Sequence, residues 1–387
     1  MKLYEFQSKA YFADFGIPIP ASHLVETPEQ TVEAAKTLGG RVVLKAQVLA
    51  SNRDRVGGIR YADNPDDVYK HAQILLGSEI HGFTVQKLLV DEAIDIQERL
   101  YLAITNDRVS GRPVLIASTQ GGTYIEDIAL QDPETVLWEH IDPLIGLRDY
   151  QIRRLCSNLN LPRDLWKDFH RITWGLYRCY TNCDATLVEI NPLVITTEHT
   201  FIAVDGKLVV DDNALFRQPE IATLLQTNVG HRSEATALEA GLTYIKLAGQ
   251  IGCMVNGAGM AMTVMDMIRR YSNNQVGPAN FLDIRGGATS ERIATALDII
   301  LSDADVQTVL ISIFGGITHC DVVARGIIAA VENINTTIPL VIRLKGTNAE
   351  LARSLLQDSQ LPHLIIGDSL MNTVHKAIMA AEGHMHV

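Results

Sequence analysis

The chain has 387 residues, 47% apolar and 20% charged, which excludes a disordered chain, a collagen, a disulfide mini-scaffold and a coiled coil and leaves room for two or three domains. Lys and Arg number 33 against 45 Asp and Glu, a net charge of −12. A surface that acidic argues against binding nucleic acid or an anionic membrane, so an anionic ligand would need a local positive pocket.

In chain order, MKLYEFQSKAYF reads as an amphipathic helix running straight into a fold. Thr27-Pro28-Glu29-Gln30 starts a helix, with Thr as cap and Pro in the first turn, and Gly39-Gly40 stops it. Residues 41–48 form a β-branched strand. Asn64-Pro65-Asp66-Asp67 repeats the helix start, and Gly77 ends that helix. Residues 84–90, 94–104 and 113–118 read as strands, 149–182 as mostly helix, and 186–195 with 201–204 as a strand pair around a turn. This first part is an α+β pattern with antiparallel pieces. Residues 213–247 read as a linker, partly helical from Glu234. Beyond about 248 the pattern becomes strict β-then-α alternation with glycines after each strand, which predicts a parallel, doubly wound, flavodoxin-like sheet with its ligand crevice at the strand C-termini.

Cys156, Cys179, Cys183, Cys253 and Cys320 are an odd number without framework spacing, which points to free thiols in a reducing compartment. Cys179 and Cys183 read as two buried small residues or as a metal-binding pair. Trp138, Trp166 and Trp174 are expected in cores. With no apolar run near the ~20 residues that span a bilayer and no signal peptide, the expectation is a soluble cytoplasmic protein.

Three places could carry chemistry. Glu189 and Asn191 lie two apart on one strand and so share a face, with Asp205 and Lys207 on its partner. Oxygen donors on adjacent strands suit Mg2+, while a polar sheet edge explains them as well. Lys45 stands in the apolar run VVLKAQV, where a charge needs a partner that a phosphate could supply, and the loop 50–58 after it carries Arg53, Arg55 and Gly57-Gly58. The turns Asn256-Gly257-Ala258-Gly259 and Gly315-Gly316-Ile317-Thr318 open helices whose N-terminal amides attract anions, though such turns also serve tight packing. The first lacks the spacing of a dinucleotide fingerprint. No nucleophile stands out. His319 reads as a solvent-side residue, a general base or a phospho-acceptor.

These segments resemble, from end to end, the β subunits of succinyl-CoA synthetase (succinate–CoA ligase, ADP- or GDP-forming). The resemblance is carried by LYEFQSKAYFADFGIPIP, VLKAQV, LVEINPLVIT, VDGKL, DDNALFRQPE, GCMVNGAGMAM, PANFLDIRGGAT, FGGITHCDVVARGI and RLKGTNAEL. It implies an N-terminal ATP-grasp fold (residues 1–235) and a C-terminal flavodoxin-like CoA-ligase domain (236–387). It implies a reaction of the tricarboxylic acid cycle that interconverts succinate, CoA and ATP or GTP with succinyl-CoA, ADP or GDP and phosphate. The phosphoryl group would pass through a histidine of a partner α subunit, in a heterodimer or heterotetramer. By position, Lys45, Asn52, Arg53, Asp54, Asp91, Ile94 and Arg99 would bind nucleotide, and Asn191 and Asp205 would hold Mg2+. Glu189 would steady the phosphohistidine, and Asn256, Gly316, Ile317 and Thr318 would contact the acid. The chain departs from the family in its phosphate loop, where Ser51, Asn52 and Asp54 replace glycines. Asp91 and Arg99 stand where the family has glutamates, and Arg285 where it has glycine. A related acid–CoA ligase, such as one for malate, and a nucleotide-impaired regulatory paralogue are the alternatives these departures leave open.

Overall fold

The computed structural model describes residues 1–50, 53–122, 125–224, 232–334, 336–361 and 363–383. Contacts divide the chain into two compact units, Met1–Gly230 and His231–Val387.

Among the described residues the first unit holds a two-stranded ladder of Glu79–Ile80 with Phe83–Thr84 and two large antiparallel sheets. The smaller has the strand order Ser22–Val25, Leu88–Glu92, Val42–Ala46, Ile59–Ala62. Helices Pro28–Thr37 and Pro65–Leu75 cover it through Ala34, Ala35, Val68, Ala72 and Leu75. Both helices start as their sequences dictate. The Thr27 hydroxyl accepts from the Gln30 amide, and the Asn64 side chain accepts from the Asp67 amide. The larger sheet runs Phe201–Ala203, Ala185–Thr196, Ile96–Asp107, Arg112–Ser118, Val136–His140, and Gly206–Val210 also pairs with Ala185–Thr196. Helices Glu5–Asp14, Asp149–Asn158 and Trp166–Asn182 bury its inner face around Phe12, Ile152, Phe169, Ile172 and Leu176.

The second unit is a six-stranded sheet ordered Thr243–Lys246, Asn280–Asp283, Ile251–Val255, Thr308–Gly315, Leu340–Gly346, Leu364–Ile366. The last five are mutually parallel. Helices Ser290–Leu301, Cys320–Ile334 and Ala349–Asp358 pack on one face, and Ala258–Tyr271 with Leu370–Ala381 on the other, giving a doubly wound sheet with two separate cores.

Four expectations need correction. The strand expected at 84–90 is two, Phe83–Thr84 and Leu88–Glu92, in different sheets. Part of the expected linker, Thr243–Lys246, is an antiparallel edge strand beside Asn280–Asp283. Its lone short apolar run without a following helix hid it among loop residues. Asp205 sits in the bend between two short strands rather than within one. Trp138 is 52% exposed on an outer strand, whereas Trp166 and Trp174 pack against the core. All five cysteines are buried and free. Among the described residues no helix is long and apolar enough to cross a membrane.

Candidate functional site

Between the two sheets of the first unit lies an open cleft of about 570 Å3. The smaller sheet sends in Lys45 and Asp91, and the loop after Lys45 adds Arg53 and Asp54. The larger sheet sends in Arg99, Glu189 and Asn191, and the bend beside it adds Asp205. Ile94 and Lys207 line the same space. Every described residue expected to meet nucleotide or metal therefore faces one cavity. Asn52 lies outside the described residues. Glu98 is not among the residues that line the cleft, whereas its neighbour Arg99 is, in keeping with their adjacent places on a strand.

At the cleft floor is a buried charge cluster that the sequence did not advertise. Lys45 Nζ lies 2.8 Å from Glu5 Oε1 and 2.9 Å from Asp91 Oδ2, and it also donates to the Val204 carbonyl. Lys9 Nζ lies 2.6 Å from Asp91 Oδ2 and 3.4 Å from Glu5 Oε1. Arg53 Nη2 lies 2.8 Å from Glu5 Oε2 and 3.4 Å from both Asp205 oxygens, and its Nη1 donates to the Ala46 carbonyl at 2.9 Å. Three cations and three carboxylates thus balance. Glu5 and Lys9 come from the first helix at a spacing of four, which normally decorates a solvated face. Here both side chains are almost wholly buried, at 1% and 2% exposure. Only their placement beside the VVLKAQV strand reveals them.

The electrostatics follow from this geometry. Burial alone would raise the Glu5 carboxyl, but Lys45, Arg53 and Lys9 outweigh it and hold it well below the usual carboxylate range. Burial opposes charge on Lys45 too, and Asp91, Glu5 and Asp205 reverse that and raise it. Arg53 is raised by Glu5 and Asp205 against the same burial penalty. Asp205 shifts upward, through burial first and the Glu5 charge second. Of the six, Asp205 is the most open, with 28% of its side chain exposed.

Asp205 and Asn191 offer a carboxylate and an amide oxygen, the hard donors that Mg2+ takes in ones or twos from a protein. Asn191 Oδ1 accepts from the Gly122 amide at 2.7 Å, which fixes the side chain in the cleft. The donor set fits Mg2+. Glu189 lies opposite Lys207 in the strand ladder, with the Tyr101 hydroxyl 3.5 Å from its carboxylate. Among the described residues lining the cleft there is no Ser, Thr, Cys or His.

The second unit gathers its glycine turns at the C-terminal ends of the parallel strands. They are stitched to one another by side chains. The Asn256 amide exchanges two hydrogen bonds with the Phe314 backbone, both 2.8 Å. Asp283 Oδ1 accepts from the Gly257 and Arg285 amides at 2.7 and 2.8 Å. The Thr318 hydroxyl, 2% exposed, accepts from the Gly287 amide at 3.0 Å. Asn256 and Thr318, expected to contact an acid, therefore spend their side chains on holding the turns. Ile317 is 84% exposed beside Gly316, and His319 is exposed as well. Gly346 shows why a side chain is barred here: with φ +106°, a Cβ would lie 2.1 Å from the Gly315 carbonyl oxygen.

A model of the ATP-grasp domain matches residues 2–195, and a model of the CoA-ligase family matches residues 254–382. The chain is 44% identical over 383 residues to the "Succinate--CoA ligase [ADP-forming] subunit beta" of Roseiflexus sp. (strain RS-1), covering 99% of this chain and 100% of that one. It is 45% identical over 386 residues to the protein of the same name from Chloroflexus aurantiacus, covering 100% of both chains. The relative of that name in Vibrio vulnificus is 43% identical over 391 aligned residues. Among solved structures, the ATP citrate lyase of Methanothrix soehngenii shares the fold with a TM-score of 0.71 at 18% identity, covering 97% of this chain and 99% of that one.

Proposed function

Because the chain belongs to the family of succinate–CoA ligase β subunits, we propose that it couples cleavage of a nucleoside triphosphate to succinyl-CoA formation and, in reverse, succinyl-CoA cleavage to triphosphate formation. The observation that carries this reading is the meeting of Lys45, Arg53, Asn191 and Asp205 in one cleft between two sheets. In this reading Lys45 and Arg53 meet the polyphosphate as fixed cations, and Arg99 and Ile94 flank the rest of the nucleotide. The relatives' names favour ADP and ATP over the guanine pair. Asn191 and Asp205 would hold Mg2+, which when bound neutralises phosphate charge. Burial and pairing fix these groups before substrate arrives, so little reorganisation remains at phosphoryl transfer.

The cleft's described lining offers no histidine, serine, threonine or cysteine to take the phosphoryl group. The family resemblance implies that the acceptor is a histidine of a partner α subunit, with Glu189 orienting it at the nucleotide end, and a lining without a nucleophile agrees with that. Residues 1–235 would perform this step and 236–387 the thioester step. There the exposed Gly316-Ile317 turn, held by Asn256 and Thr318, would receive the acid. The buried free thiols suit a cytoplasmic setting. The test is to mix the chain with its host's α subunit and γ-labelled ATP. Label transferred to a histidine of the α subunit supports the assignment. Label that stays on ATP, with both subunits folded and associated, overturns it.

A further inference from the structure

The charge cluster at the cleft floor is neutral as a whole, yet its parts are not equally held. Arg53 has two acidic neighbours, Glu5 at 2.8 Å and Asp205 at 3.4 Å from the same nitrogen. Glu5 is the closer and the more deeply buried of the two, with 1% of its side chain exposed against 28% for Asp205. Glu5 also has a second, equally short contact to Lys45. Arg53 already makes long contacts of 3.4 Å to both Asp205 oxygens, and released from Glu5 it needs to move by less than about 1 Å to pair fully with Asp205.

We propose that Glu5 is a positioning residue of the polyphosphate site, which holds Arg53 back from Asp205 and thereby makes nucleotide binding depend on a divalent cation. This rests on the cleft being the nucleotide site. Two effects act together. With Glu5 charged, the cluster carries no net positive charge, so a metal-free nucleotide gains little Coulomb attraction from it. With Arg53 held mainly by Glu5, Asp205, partly exposed and with its Oδ1 accepting from the Gly206 amide at 2.7 Å, keeps more of its carboxylate for a cation. Neither function needs Glu5 to touch nucleotide or metal. It acts through Arg53 and Lys45.

The test is calorimetric titration of the full-length chain with ADP, once in excess Mg2+ and once in EDTA, read as the ratio of the two dissociation constants. Glu5→Gln keeps the shape and removes the charge. It should tighten metal-free binding and weaken the metal's benefit, so that the ratio falls by about tenfold or more. Glu5→Asp keeps the charge and should retain most of the wild-type ratio. A folded Glu5→Gln protein with an unchanged ratio overturns the proposal. If Glu5→Gln does not fold, Arg53→Gln decides: removing the competitor must raise the ratio, and an unchanged or lower ratio overturns the proposal. A merely structural role for Glu5 would lower the melting temperature and leave the ratio where it was. Wild-type chain that binds no ADP under either condition would instead overturn the nucleotide reading of the cleft.

Discussion

The side-chain amide of Asn256 and the backbone of Phe314 form a closed pair: Oδ1 accepts from the Phe314 N–H and Nδ2 donates to its carbonyl, each at 2.8 Å. The same device recurs deeper in the sheet, where Asn280 brackets Cys253 at 3.0 and 2.8 Å. Asn256 therefore fixes the spacing between the first glycine turn and the one that displays Ile317. Asn256→Ala strips both hydrogen bonds and is expected to cost about 1–2 kcal/mol of stability in the second unit. It should also raise the KM for the acid more than it lowers kcat, because the turn loosens while the chemical groups stay. Thermal unfolding and steady-state kinetics check both. An unchanged KM would assign the pair to stability alone.

Lys45 anchors the charge cluster from the smaller sheet. Lys45→Met leaves Glu5 and Asp91 buried against each other with too few cations, and breaking a buried pair in this way costs about 3–5 kcal/mol. Denaturant unfolding should register that loss in the first unit, and calorimetry should find ADP binding abolished. Full ADP affinity in the variant would remove Lys45 from the phosphate site.

The Glu5 carboxyl gives the first unit a defined acid sensitivity. Its folded value lies well below the ordinary 4.5, so folding favours the ionised form. The stability it contributes is fully present above the ordinary value and is lost as pH falls below it toward the depressed folded one. Unfolding midpoints measured from pH 7 down to about pH 3 should therefore fall in wild type and fall less steeply in Glu5→Gln. Parallel slopes would contradict the pairing of Glu5 with Lys45, Lys9 and Arg53.

Much of this was legible in the sequence. The helix starts at Thr27 and Asn64 and the β-then-α alternation of the second unit were readable from residue type and spacing, whereas Lys45, Arg53, Asn191 and Asp205 stood out only as separate candidates that the family resemblance joined into one site. What escaped depended on contacts across long stretches of chain. Glu5 lies forty residues from Lys45 in sequence and reads as a surface charge until the first helix is seen against the cleft floor. Asn256 reads as a ligand-facing polar residue, and only the neighbouring parallel strand shows where its amide goes. Trp138 reads as core by composition, but its strand lies at the edge of the larger sheet and turns that face outward. Thr243–Lys246 has too few apolar residues to signal a strand, and its pairing with Asn280–Asp283 is what makes it one.

Asp54 places an exposed carboxylate on the loop that lines the cleft beside Arg53. A negative charge there opposes a polyphosphate at partly screened range, so Asp54→Gly should tighten ADP binding by about two- to tenfold. The gain should shrink as salt rises. An affinity that does not change would place Asp54 away from the phosphates and leave its substitution for glycine without an electrostatic consequence.

The most direct measurement is thioester formation by the chain co-purified with its host's α subunit, over a panel of carboxylic acids with ATP and GTP. Succinyl-CoA should form only when succinate, CoA, Mg2+ and a nucleoside triphosphate are all present, with ATP preferred. Turnover confined to another acid, or no thioester from a folded and associated pair, would contradict the assignment.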